Sequence, residues 1–210
     1  MVTVSHKNGG HGDPGADEVD GRRRRSAQSR EAIVSAMFEL VGEGDLRPSA
    51  QRVADRAGVG IRTVFRHFDE MDRLFAEMSD RLRATLRPLL DQAENSGSLA
   101  SRARHLVVKR CEVYEKMGPY KRSGNLQRPK SAFLQKAHRA MVRDLRLNLE
   151  RWLPEVASSP TRVANAIEAA VSFEAWDRLR SDQKLSYKDT REAMQTTVDA
   201  LVQAEFRGRS

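Results

Sequence analysis

Arg62, Thr63, Phe65, Arg66 and His67 crowd two guanidinium groups, a hydroxyl, an aromatic ring and an imidazole into six consecutive positions. Guanidinium donors match acceptor-rich partners such as phosphate oxygens or the guanine edge, and hydroxyl and imidazole groups make shorter contacts of the same kind. That chemistry is recognition. Bond-making finds no comparable set: His105 and Cys111 lie six apart, about 240° around a helix, so they share no local site. His138 stands alone in a basic stretch, and no phosphate-cradling glycine loop, nucleophile elbow or metal-ligand spacing occurs. Neither catalytic residues, nor a metal, nor a cofactor is expected.

Three predicted helices must position the run. Ile33, Met37, Leu40 and Val41 recur at i, i+4, i+7 and i+8, giving a helix from about Ser26 that ends near Gly42 or Gly44. After the turn LRPS, Ser49 is a suitable N-cap for a second helix with Val53, Ala54 and Ala57 on its apolar face. Gly58 falls where a left-handed C-cap is expected, and Val59 can fill the angle before a third helix. With Val64 at 0° on a wheel of about 100° per residue, Phe68 falls near 40° and Ile61 near 60°, whereas Arg62 and Arg66 fall near 160° and 200°. Val64 and Phe68 therefore anchor a short helix that offers Arg62, Thr63, Phe65, Arg66 and His67 outward. A DNA major groove admits such a helix; a plain solvated face is the competing reading.

The stretch SREAIVSAMFELVGEGDLRPSAQRVADRAGVGIRTVFRHFDEMDRLF resembles the N-terminal domain of the TetR family of transcriptional regulators, most specifically in ADRAGVG and TVFRHF. The resemblance implies an all-α homodimer, with a three-helix DNA-binding head containing a helix-turn-helix and a larger helical body for effector binding and dimerisation. Gly60 stands where the family usually has a capping Ser, Phe65 where it has a phosphate-contacting Tyr, and Met71 where it often has a phosphate-contacting Lys. Arg22, Arg23, Arg24 and Arg25 are positioned to offset the lost contacts, as a flexible arm on phosphates or in a minor groove, or else to form a solvated linker. The expected DNA-facing set is those four with Ser49, Gln51, Arg62, Thr63, Phe65, Arg66 and His67.

The bulk properties agree with a polyanionic partner without requiring one: 37 basic against 29 acidic residues in 210, a net charge of +8. Residues 1–21 are rich in Gly and poor in large apolar groups, and read as a disordered tail in which His6 and His11 are solvated. The organisation expected is a tail at 1–21, a DNA-binding domain at 22–69 and an effector-binding and dimerisation domain at 70–210. One cysteine excludes an internal disulfide, and no apolar run approaches a membrane span, so a soluble cytoplasmic protein is expected.

Body helices are expected near 70–94 with a break or kink at Pro88, then 99–117, 130–152, 160–181 and 186–206, separated by SGS, GPYKRSGNLQRP and LPEVASSP. Val163, Ile167, Ala170, Val171 and Ala175 form one stripe, and Ala193, Met194, Thr197, Val198, Leu201 and Val202 another. Each reads as core or, from the resemblance, as part of a homodimer interface through the last two helices. Tyr114, Met117, Phe133, Met141, Phe173 and Trp176 are candidates to line a small-molecule pocket, with ordinary core as the alternative. Residues 102–151 carry a net +10, readable as a solvated face or as the source of one or two cations for an anionic effector. The function expected is a regulator, in the form of a repressor released from an inverted-repeat operator in double-stranded DNA by a small molecule. The alternative is a helical adaptor or nucleoid-type protein that binds DNA without strong sequence preference.

Overall fold

The computed structural model describes residues 14–68, 71–90 and 96–206, with the side chains of 14–19 and of Phe68 outside that description. It is all-α, with ten α-helices and no strand among the described residues. Pro14 opens α1 (Pro14–Gly42), a position where its fixed φ and missing N–H cost nothing. Part of the expected tail is therefore the first helix, and residues 1–13, His6 and His11 included, lie outside the described residues. An Asp20–Arg24 pair at 2.8 Å spans one turn of it.

Next come α2 (Ala50–Ala57) and α3 (Ile61–Phe68). Ser49 sits in extended backbone and its side chain accepts from the Arg52 N–H, so it caps α2 as its type and position suggested. Gly58 takes φ 65°, and the Val59 N–H donates to the Ala54 carbonyl at 3.1 Å, a left-handed helix ending that sets the turn into α3. Ile33, Met37 and Leu40 of α1, Val53 and Ala54 of α2, and Val64 of α3 close one apolar cluster. Leu74, on α4 (Met71–Leu90), belongs to the same cluster, while Leu86 further along that helix belongs to a second. One helix thus joins two cores.

The second core is built from α4, α5 (Leu99–Gln127), α6 (Ala132–Trp152), α7 (Pro154–Ala157), α8 (Thr161–Ala170), α9 (Phe173–Asp177) and α10 (Tyr187–Phe206). Two expected boundaries move. The helix expected to end at Met117 runs through Gly118 and Pro119 to Gln127, held by Trp176 packed over Gly118, by stacking of Tyr120 on Phe38 at 4.3 Å and by a Ser123 hydroxyl bond to the Leu46 carbonyl at 2.9 Å. Those contacts offset the roughly 3 kcal/mol of an internal proline. Conversely, the helix expected over 160–181 divides at Val171, because Ser172 caps a new helix by accepting from the Ala175 N–H. A π turn, Arg178–Asp182, follows α9. No helix of the described residues is long and apolar enough to cross a membrane.

Candidate nucleic-acid interface and body cavity

Val64 is fully buried, and the two arginines on the opposite side of α3, Arg62 and Arg66, are exposed, as the wheel requires. Phe65 is exposed over 56% of its surface and Ile61 over 36%, while Thr63 is half-buried. Ile61, whose wheel angle placed it with the apolar side, is open because it is the first residue of its helix. The first amide bonds of α3 run from Thr63 and Val64 back to the Gly60 carbonyl at 2.8 and 3.3 Å; without a side chain, Gly60 adds no cap of its own.

Arginines on the neighbouring helix are differently placed. Arg56 of α2 forks onto Glu43 at 2.8 and 2.9 Å and reaches Glu39 at 3.2 Å, tying α2 to α1. The hydrogen bonds from Arg56 hold the Glu43 carboxyl below its usual range. Arg52 pairs with Asp45. Neither Arg62 nor Arg66 has a carboxylate partner among the described residues, and both are exposed.

His67 departs from the expected outward set, being only 7% exposed. Three residues beyond Val64 its wheel angle is about −60°, on the inward half of the helix. Ser49 is exposed but spends its hydroxyl on the cap, and the Gln51 side-chain amide donates to Asp55 at 2.7 Å. Arg22, Arg23, Arg24 and Arg25 are exposed on α1, within a helix instead of the flexible arm expected. Four consecutive helical positions step through the whole circumference, so that run cannot turn all its charges to one side. Arg24 holds Asp20, and the Arg25 Nε donates to the Gly21 carbonyl at 3.2 Å.

Three of the six pocket candidates converge. Tyr114, Met141 and Phe173 line a cavity of about 50 Å³ together with Arg110, Leu145, Leu149, Glu168 and Val171. Tyr114 is fully buried and donates to the Val171 carbonyl at 2.7 Å; burial pushes its hydroxyl up to about 12, so it stays protonated. Trp176 lines a separate, more open groove of about 340 Å³, beneath Arg122 at 5.6 Å, and Met117 is packed in the core. Phe133 lies apart from the cavity, because it and Met141 are eight residues apart on α6, about 12 Å along the axis. Its backbone N–H instead donates to Asp72 of α4 at 3.3 Å, and the Ser131 hydroxyl bonds the same carboxylate.

In the basic stretch 102–151, Lys116, Lys130, Lys136, Arg139 and Arg143 are exposed and Lys109, Lys121, Arg122 and Arg128 half-buried, whereas Arg110 departs from a solvated face. It is buried. The signal was present: Arg110 shares a helical stripe with Leu106, Val107, Cys111, Tyr114 and Met117. Among the described residues no group of His, Cys, Asp and Glu could hold a metal ion.

The fold is similar to the crystal structure of a transcriptional regulator from Rhodococcus sp. Rha1, with a TM-score of 0.62 and 22% identity, covering 84% of this chain and 97% of that one. No family model and no curated protein matches the sequence.

Proposed function

We propose that the protein is a DNA-binding transcriptional regulator of the TetR type, with α3 as its reading helix. One observation carries this: α3 buries Val64 and turns Arg62, Phe65 and Arg66 outward, while the arginines of α2 are spent on carboxylates. An eight-residue helix fits a major groove, and exposed guanidinium groups there reach guanine edges or phosphates. The structural similarity to a transcriptional regulator supports the same assignment. In this reading the helices through residue 69 are the DNA-binding head and residues 70–210 the effector-binding and dimerisation body. The protein acts as a homodimeric repressor of an inverted-repeat operator and releases it when a small molecule enters the body.

The test is selection of bound sequences from a random duplex pool, followed by titration of Arg62→Ala on the selected site and on random duplex. A palindrome is expected, with Arg62→Ala losing about 1 to 3 kcal/mol on it and much less on random DNA. No enriched sequence would favour a coating protein, and equal losses on both duplexes would confine Arg62 to phosphate contact.

A further inference from the structure

Arg110 projects from the apolar stripe of α5 and is 2% exposed. Its Nη2 donates to the Leu145 carbonyl at 2.7 Å, which fixes the guanidinium in place. Its Nε and Nη1 are buried and have no acceptor among the described residues. Buried cations are ordinarily paired and buried donors ordinarily satisfied, so two unsatisfied donors on a buried guanidinium mark a place for an acceptor, and no carboxylate among the described residues hydrogen-bonds to it.

The cavity of about 50 Å³ lies against this side chain. It has room for several water-sized groups. The Tyr114 hydroxyl donates to the Val171 carbonyl while its oxygen faces the Arg110 guanidinium, and the Ser172 hydroxyl donates to the Ala169 carbonyl. These partners are neutral, so the Arg110 charge has no hydrogen-bonded anion among the described residues of the cavity wall. Met141, Leu145, Leu149, Val171 and Phe173 make the remaining wall apolar. Two carboxylates also border it. Glu168 is held by Arg146 at 2.8 Å, and Glu174 is exposed.

We propose that this cavity binds a small monocarboxylic acid, its carboxylate accepting hydrogen bonds from Arg110 and its hydrocarbon part lying against Met141, Leu145 and Phe173. One negative charge answers one unpaired guanidinium, whereas a doubly charged head would meet Glu168 and Glu174. The role of this ligand as effector rests on the reading of the protein as a regulator; its binding does not.

The experiment uses the full-length protein without DNA, titrated calorimetrically and in melting scans with butyrate and hexanoate beside butyramide and hexanamide at matched ionic strength. The acids are expected to bind saturably and to raise the melting temperature, about tenfold or more tighter than the amides. Arg110→Met should lose that preference and, without ligand, melt no lower than the wild type, because it removes an unpaired buried charge. Met141→Trp keeps the guanidinium, fills the apolar part and should also weaken binding. Acids that bind no better than amides to the wild type, or bind Arg110→Met as tightly, overturn the proposal. Because DNA selection is measured separately, loss of the regulator reading and loss of the carboxylate site are distinguishable.

Discussion

Lys121 places its ammonium 2.6 Å from His138 Nδ1 and 5.9 Å from the centre of the Phe173 ring, within a half-buried patch between α5 and α6. Burial lowers its pKa to about 8; Glu174 opposes the shift and Arg128 adds to it. Burial, then the charge on Lys121, also lowers His138, so near neutral pH a charged lysine donates to a neutral imidazole. In the unfolded chain Lys121 holds its proton to about 10.5, so between about pH 8 and 10.5 the unfolded state binds more protons and the Lys121 contribution to stability rises with pH. Below about 8 the full cost of burying the charge is present. Lys121→Met should therefore melt higher than wild type at pH 7, with the gap closing by about pH 10. Melting curves at several pH values check this, and a gap independent of pH would place the effect in packing. Charge state was not legible from the sequence, because burial of a lysine depends on a neighbouring helix. The outward face of α3 was legible, since a wheel anchored on Val64 needs only local periodicity, and the same wheel puts His67 on the inward half, where the structure buries it.

At the scale of elements, proline and glycine misled most where tertiary contacts were strong. Pro119 and Gly118 read as the end of a helix, yet α5 continues for two more turns because Tyr120 stacks on Phe38 and Ser123 bonds the Leu46 carbonyl. That continuation ties the second core directly to α1. A second tie runs from α6 to the start of α4, where Asp72 accepts from the Ser131 hydroxyl and the Phe133 N–H. Asp72 follows α3 closely in the chain, and α6 carries Met141, Leu145 and Leu149 along the wall of the cavity. On the proposed reading, a ligand that shifts α6 would pull on the helix that leaves the DNA-binding head. Asp72→Ala should loosen the first turn of α6 by about 1 kcal/mol, seen as faster hydrogen exchange at Phe133 and Leu134 with α10 unchanged. Unaltered exchange at those amides would show that the Ser131 cap alone secures the helix. Neither tie was legible in the sequence, since each joins residues about 60 or more apart.

At the scale of the whole molecule, reading an inverted repeat requires two heads, and a two-fold dimer provides them with one surface meeting its own copy. Much of the two stripes expected to form that surface is spent inside the chain: Val163, Ile167, Val171, Met194, Val198 and Val202 are buried in the second core. Besides charged and polar residues such as Glu192 and Gln203, α10 leaves outward a flank of small residues, Ala193, Thr197, Ala200 and Ala204, at i, i+4, i+7 and i+11, the last three exposed. On α8, which packs against α10, Ala169 is also exposed. Small side chains let helices approach closely, so on the proposed dimeric reading this flank is where α10 would meet its twin in a four-helix arrangement with α8. Ala200→Arg adds a charge that faces its own copy across a two-fold axis while touching nothing in the core. The variant should keep the wild-type melting behaviour at low concentration, sediment as a monomer, and bind a palindromic site little better than a single half-site. Sedimentation velocity and duplex titrations on whole and half sites read all three. A variant that still sediments as a dimer and keeps its preference for the whole palindrome would move the interface off the last helix, leaving the reading face of α3 untouched.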